Sequence, residues 1–524
     1  MRTRRISVLL LLSLALAAHG RAQSENYKPF PATWQQALDQ YTNKQNPNAA
    51  ITPGAVVIIQ SPQWGTRVGT SGYANIETKV APRPDHHFRV GSVTKMFVAQ
   101  TVLALEQQGK LKLNDQVAKY LSDDPTVMAI PNISLMTIGM LMQHISGMAN
   151  YLGNPTIGSS YLTTPTRAFT PNELMAALAP NSTPVLSPFF MPLTGFTNPY
   201  WTLTGSAPPE PGQYPSWFYS NSNYILLGMI IEEVTGKPVQ DAIEQYVIKP
   251  LGLTDTYFAL DPSIPADMMH GYTHQDWTLQ YREFPEWKDV TVLNPSYAWS
   301  AGAIVSTPSD LLRFAKGIFE TNTILNAGTK RKWLNFTSAD MEWFNVDYGV
   351  GGIMQPHRMY GDARGHGGAI PGYKTLVYHF FDTDTYFIEA LNTMDQYAPT
   401  TPPEVAILDT LMPLVQGTAM EPGATPARDS VTLTWQPGMY YGEFNVYVGA
   451  DCSAVENGTT GLMTKTTQTP KATFTGLKPD TDYCWRVDSV PTPPLAVLPV
   501  PLDGPPNVPS LVQGLVWRFH TAAQ

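Results

Sequence analysis

A change of texture at residues 418–429 limits this chain more than any other feature. This stretch contains Pro, Gly and Ala, and it parts a long mixed segment from a shorter one written in alternating strands. The chain has 524 residues, and a single hydrophobic core stops growing near ~300. Two folded parts are therefore expected: a domain over 28–417, a linker over 418–429, and a second domain over 430–523. Ahead of them, Arg2, Arg4 and Arg5 precede an apolar run over 6–18, and Gly20-Arg21-Ala22 offers small residues at a cleavage point. That order predicts a secretory signal peptide over 1–22, cut after Ala22. The run is too short to cross a ~30 Å bilayer. The expected product is secreted or periplasmic, with no membrane span after signal removal.

Charge narrows the function classes. Thirty-three Lys and Arg face 42 Asp and Glu, a net charge of −9, and charged residues make up only 14%. Such a surface releases few counterions from a phosphate backbone, so nucleic acid is not an expected partner. Two cysteines are too few for a Cys-rich metal site. Asp85-His86-His87 has no second cluster to complete a metal site, so no metal or other cofactor is expected.

Within 28–417 the signals are mixed. Residues 55–59 read as a buried strand, and 375–381 and 385–391 as two late strands. Helical patterns cover 92–108, 223–235, 239–247, 308–320 and 402–416. The helix at 308 is well marked: Thr307 suits the cap, Pro308 the first turn and Asp310 the third position. Strands at both ends with helices between predict one antiparallel sheet closed by distant segments. Residues 152–217, rich in Pro, Thr, Ser and Gly with scattered aromatics, are expected to border a functional cleft.

Three elements carry chemistry. Ser92-Val93-Thr94-Lys95 is the only Ser-x-x-Lys in the chain. Three residues is nearly one helical turn, so Ser92 and Lys95 share a face. A serine hydroxyl needs a base, and an amine can serve if burial leaves it neutral. Tyr219-Ser220-Asn221 offers a phenol to move protons and an amide to donate and accept. The same pattern occurs at Tyr41 and Tyr73, so order along the chain singles out Tyr219. Gly365-His366-Gly367-Gly368-Ala369 lets a strand backbone approach a ligand. A backbone N–H there would pair with that of Ser92 as an oxyanion hole, and His366 would supply a proton or a positive edge.

Taken together and in this order, these elements closely resemble the serine β-lactamase and penicillin-binding-protein superfamily, in its class C β-lactamase-like branch. Phe88-Arg89-Val90-Gly91, the stretch from Leu141 to Met148 with His144-Ile145-Ser146-Gly147, and Ser300-Ala301-Gly302-Ala303 agree with it. The resemblance implies an α/β fold: an antiparallel sheet flanked by helices, plus an all-helical subdomain. It implies a bacterial serine hydrolase that becomes acylated on Ser92. Lys95 and Tyr219 would share general-base and general-acid work, Asn221 would orient Lys95 and substrate, and His366 would stand where class C β-lactamases carry lysine. Gly368 and Ala369 would border the oxyanion hole. The implied substrate is a small peptide, amide or ester, first of all a D-alanyl-D-alanine peptide of cell-wall peptidoglycan; an esterase, a D-aminopeptidase-like hydrolase or a non-enzymatic penicillin-binding or adhesive protein is the alternative. The hydroxyls that help hold a terminal carboxylate are replaced by Gly367 and Ala369, leaving Arg364 or Arg358 as the nearest candidate clamps.

The second domain has its own resemblance. Leu477-Lys478-Pro479-Asp480-Thr481-Asp482-Tyr483 before an alternating strand is similar to the tyrosine corner of fibronectin type III sandwiches. That implies an all-β sandwich, with Trp435 in its core and 516–519 as its last strand. It also places Cys452 and Cys484 close enough for a disulfide, which export permits. Such a module would act as a spacer or bind a surface polysaccharide.

Overall fold

The computed structural model describes residues 27–47, 50–154, 157, 163–178, 219–275, 283–333, 336–337, 346–356, 362–395, 403–416, 425–427, 429–434, 441–458, 461–469, 471–491 and 516–521. The expected signal peptide, most of the aromatic segment 152–217, Trp435 and Arg358 lie outside these residues.

A nine-stranded sheet organises the larger part. Its centre is made by segments more than 300 residues apart. Gly54–Ser61 pairs antiparallel with Thr385–Leu391, placing Ile58 opposite Ile388. Thr385–Leu391 pairs with Tyr373–Phe380, which pairs with Ala363–Ile370. Ile353–Pro356 and Val346–Gly349 extend the sheet beyond Ala363–Ile370. The far edge holds one parallel contact, Lys28–Pro29 on Gly65–Gly72.

Side chains alternate across the sheet, so each strand feeds two cores. On the front, Val56, Ile58, Val377 and Ile388 meet Phe97, Val98 and Ile225. On the back, Val57, Ile59, Phe387 and Leu391 meet Trp34, Ile407 and Leu411. The back is covered by helices Ala32–Asp39 and Pro403–Gln416. The front carries Thr94–Gln107 and Asn221–Thr235, two helices buried over most of their surface. That is why neither shows a polar stripe. There are two small sheets: Phe88–Arg89, just ahead of the first front helix, pairs with Ile304–Ser306, which also pairs with Tyr257–Phe258, and Tyr272–Gln275 pairs with Glu283–Asp289. Helix Pro308–Glu320 begins where its cap predicts, with Thr307 Oγ1 accepting from the Asp310 amide at 3.1 Å.

The C-terminal residues form a three-stranded and a four-stranded sheet. Val431, Leu433, Phe444, Val446, Phe474, Tyr483 and Trp485 fill the core between them. The Tyr483 hydroxyl accepts from the Lys478 amide at 2.9 Å, a bond five residues back along the chain. Cys452 and Cys484 are bridged, with Cα atoms 5.1 Å apart.

One buried group is out of place. Glu389 is fully buried, and neither carboxylate oxygen has a hydrogen-bond partner. Strand alternation turns it to the back, where Lys374 is already held by both oxygens of Glu404 at 2.8 and 3.0 Å. Burial, with the nearby Glu404 charge, pushes the Glu389 carboxyl well above its ordinary range. The folded state therefore holds a proton that the unfolded chain gives up near pH ~4.3. Stability falls as pH rises from that value towards the raised folded pKa. Glu389→Met should raise unfolding free energy by about 1–3 kcal/mol near neutral pH, the usual cost of an unsatisfied buried polar group, and should flatten that pH dependence. Urea denaturation of both proteins between pH 5 and 8 checks this.

Candidate active site

Ser92 sits in a single 3-10 turn, Gly91–Val93, that leads into helix Thr94–Gln107. The turn is tight because Gly91 takes φ +54°, and a Cβ there would come within 2.8 Å of the Ala369 nitrogen. Gly368 faces the same approach: its Cβ would lie 2.0 Å from the Val90 carbonyl oxygen. These two glycines let the Ala363–Ile370 strand run against the serine turn. Gly368→Ala should therefore push the strand away. A misplacement of about 1 Å can cost on the order of 10²-fold in rate, so we expect at least that loss in acylation of Ser92, with the circular dichroism spectrum unchanged.

Lys95 follows one turn after Ser92 and is fully buried. Its Nζ lies 2.9 Å from Ser92 Oγ, 2.7 Å from Asn221 Oδ1 and 2.8 Å from the Ala301 carbonyl oxygen. It also sits over the Tyr219 and Tyr224 rings, 4.9 and 5.5 Å from their centroids. None of these partners carries a negative charge. Burial alone holds the amine well below its usual pKa. A neutral amine has two N–H donors and one lone pair. The donors match Asn221 Oδ1 and the Ala301 carbonyl, which leaves the lone pair for the Ser92 hydroxyl.

Tyr219 is hydrogen-bonded to Ser92, and burial pushes its phenol far above the ordinary value. It therefore keeps its proton. The loop after Met142 fixes its surroundings. His144, at φ +58°, stacks at 4.3 Å on the Tyr219 ring. His144 Nδ1 accepts from the Ser220 amide at 3.1 Å and lies 3.0 Å from Asn223 Nδ2. Ser146 Oγ donates to Asn223 Oδ1 at 2.6 Å, and the Ser220 and Ser222 hydroxyls both donate to the Ala149 carbonyl. The Tyr219-Ser220-Asn221 triplet is thus clamped before helix Asn221–Thr235 begins.

His366 lies behind Tyr219, with ring centroids 6.2 Å apart. It is fully buried, and burial, with a smaller contribution from Lys95, lowers its pKa to about 3. The imidazole is neutral, so the sequence expectation of a positive edge for the substrate does not fit this environment. Arg364 is not brought to the site. Its guanidinium is held by both carboxylate oxygens of Asp362 at 3.1 and 2.6 Å and covers the Phe381 ring. Ala369 and Ser92 both line an open cavity of about 150 Å³, together with Tyr151, Leu152, Asn221, Tyr297, Ile370 and Met394. The Tyr151 hydroxyl is already committed to the Tyr297 carbonyl at 2.6 Å. No charged side chain lines this cavity among the described residues.

Sequence reasoning missed two contributors. The Ala301 carbonyl acts through backbone, which composition cannot reveal. Tyr348 is one of 25 tyrosines, and nothing local distinguishes it. Outside the cavity lining, Glu77, His270 and Asp289 bring possible ligand atoms within 4.8 Å of one another. Their own bonds already satisfy them: His270 Nδ1 to Asp289 Oδ2 at 2.6 Å, and the Tyr272 hydroxyl to Glu77.

Comparison with known proteins identifies the family. The family profile described as Beta-lactamase matches residues 35–410. The chain belongs to the beta-lactamase family. Within this family it is 25% identical over 317 residues to a penicillin-binding protein of Bacillus subtilis (strain 168), covering 59% of this chain and 62% of that one. The penicillin-binding protein PbpX of the same organism is also 25% identical, over 62% of this chain and 66% of its own length. The chain thus spans less than two thirds of the length of these relatives. Among solved beta-lactamase folds, a D-stereospecific amidohydrolase from Streptomyces sp. superposes with a TM-score of 0.57 at 26% identity, over 73% of this chain and 98% of the other. D-amino acid amidase from Ochrobactrum anthropi SV3 superposes equally well at 22% identity, over 74% and 99%; that likeness concerns the fold. Among the described residues, no helix is long and apolar enough to cross a membrane.

Proposed function

We propose that the chain is an exported hydrolase that works through an acyl-enzyme on Ser92. One observation carries this reading: a fully buried lysine amine with only neutral partners stands 2.9 Å from the serine oxygen. The Lys95 lone pair takes the Ser92 proton as Oγ attacks the substrate carbonyl. The backbone N–H groups of Ser92 and Ala369 receive the developing oxyanion. Tyr219, which keeps its proton, delivers it to the leaving nitrogen or oxygen, and Asn221 holds the amine in line. Water then attacks the ester on Ser92, with Lys95 and Tyr219 in reversed roles.

The substrate is an amide or ester that is uncharged on both sides of the scissile bond. A carboxypeptidase needs hydroxyls or a cation for the terminal carboxylate, and Gly367 and Ala369 bring no hydroxyl. Arg364 is spent on Asp362, and Glu210 is the one charged residue between Glu173 and Glu232, so that segment brings no cation; Arg358, the other candidate clamp, lies outside the described residues. The cavity volume of about 150 Å³ is that in which an apolar protein cavity takes up benzene. An acyl side chain up to phenyl size therefore fits. The name of the Streptomyces relative supports D-configured amides. The D-alanyl-D-alanine peptide, first choice on the sequence alone, becomes the less favoured substrate. The bond between Tyr483 and Lys478 supports reading the C-terminal sheets as a fibronectin type III-like module.

A turnover panel on the purified protein tests the substrate. An N-capped D-phenylalanine amide and a short-chain aryl ester should be hydrolysed at least ~100-fold faster, by kcat/KM, than a D-Ala-D-Ala peptide. That ratio is about 2.7 kcal/mol of transition-state discrimination. A peptide turned over as fast as the ester contradicts the neutral-substrate reading. The nucleophile is tested by a fluorophosphonate label, which Ser92→Ala should abolish. Because Lys95 must be unprotonated to act, the labelling rate should drop as pH falls through the lowered Lys95 pKa and level off above it.

A further inference from the structure

Tyr348 reaches the site from Val346–Gly349, a strand two places beyond the His366 strand in the sheet. It is fully buried. Its hydroxyl lies 3.1 Å from His366 Nε2. Its ring meets His366 and His144 edge-on, with centroids at 5.7 and 4.7 Å, and stands 6.2 Å from Tyr219. One phenol thus touches both histidines and abuts the ring that is bonded to Ser92.

The hydrogen-bond roles can be assigned by elimination. His366 Nδ1 bonds to the Gly367 carbonyl. A carbonyl oxygen only accepts, so Nδ1 carries the proton. In a neutral imidazole Nε2 is then an acceptor. The Tyr348 hydroxyl also shares a hydrogen bond with Tyr224, whose hydroxyl reaches the Met142 carbonyl as well. Nε2 can only accept, so the Tyr348 proton goes to Nε2 and the Tyr348 oxygen accepts from Tyr224. Burial keeps the Tyr348 phenol protonated, so a proton is there to give. Without this donor the Nε2 lone pair would be buried and unpaired. The imidazole would then gain by moving its proton to Nε2 or by taking a second one.

We infer that Tyr348 is a positioning residue for the Ser92 reaction: it locks His366 in the Nδ1–H form and, with His144, sets the ring of Tyr219 against Ser92 Oγ. The inference rests on the acyl-enzyme reading above for its kinetic consequence, but its tautomer claim stands on the hydrogen bonds alone. It also accounts for histidine at a place where related enzymes carry a cation. Here the partner is a neutral ring held by a phenol, and among the described residues the resting site contains no fixed positive charge.

Tyr348→Phe keeps the ring and removes only the hydroxyl. In 15N-histidine NMR, with His366→Gln for assignment, wild-type His366 should show a protonated Nδ1 and an unprotonated Nε2 from pH 5 to 8. In Tyr348→Phe the His366 resonances should shift towards the Nε2–H form or begin to titrate in that range. The fluorophosphonate labelling rate should fall at least ~10-fold, with a melting temperature within a few degrees of wild type. A wild-type His366 protonated on Nε2, or titrating near 6.5, overturns the inference. So does a Tyr348→Phe protein with unchanged resonances or an unchanged labelling rate. If Tyr348→Phe fails to fold, the wild-type tautomer still decides. If the wild type takes no label at all, the acyl-enzyme reading fails while the tautomer claim is still read directly.

Discussion

The Lys95 amine is enclosed by a hydroxyl, an amide oxygen, a carbonyl and two aromatic rings, with no anion among the described residues to pair it. Moving an ammonium out of water without a counter-ion is costly enough that such groups give up the proton instead. The rest of the site follows from that cost. With the amine neutral, the serine has a base. With no ammonium nearby to favour a phenolate, Tyr219 stays protonated and is free to act as the acid. One environment thus sorts two titratable groups into opposite roles.

Building that environment needs long-range assembly. Asn221 stands 126 residues from Lys95, and Ala301 stands 206 residues away. The sheet supplies the frame, since its central pairing joins the first domain strands to the last. The two glycines at 91 and 368 then set the spacing between the serine turn and the strand that borders the cavity. Core packing and site geometry are therefore one problem: whatever displaces the Ala363–Ile370 strand also displaces a wall of the site.

Much of this was legible in the sequence wherever the signal was local. The helix at 308 declares itself through Thr307, Pro308 and Asp310. The Ser92–Lys95 face follows from helical spacing, and the late strands from their strand-like runs. What failed to read was what a side chain meets across the fold. Arg364 looked available until Asp362, two residues earlier, and Phe381 engaged it. His366 read as a source of a proton or a positive edge, and burial, which the sequence does not display, keeps it neutral. Tyr348 itself had no local mark, because its role comes from a strand register that places it behind a residue 129 positions earlier in the chain. Glu389 likewise read as an ordinary strand residue, and only the two-sided burial of the sheet makes it an unpaired acid.

The central claim concerns the protonation state of one side chain, and it can be observed without substrate. In 13C-lysine NMR of the full chain, assigned with Lys95→Arg, the ε-carbon of Lys95 should hold its neutral-amine position at pH 9 and change only well below the ordinary lysine value of ~10.4. A Lys95 signal that titrates with the exposed lysines would contradict the account, because the serine would then have no base beside it.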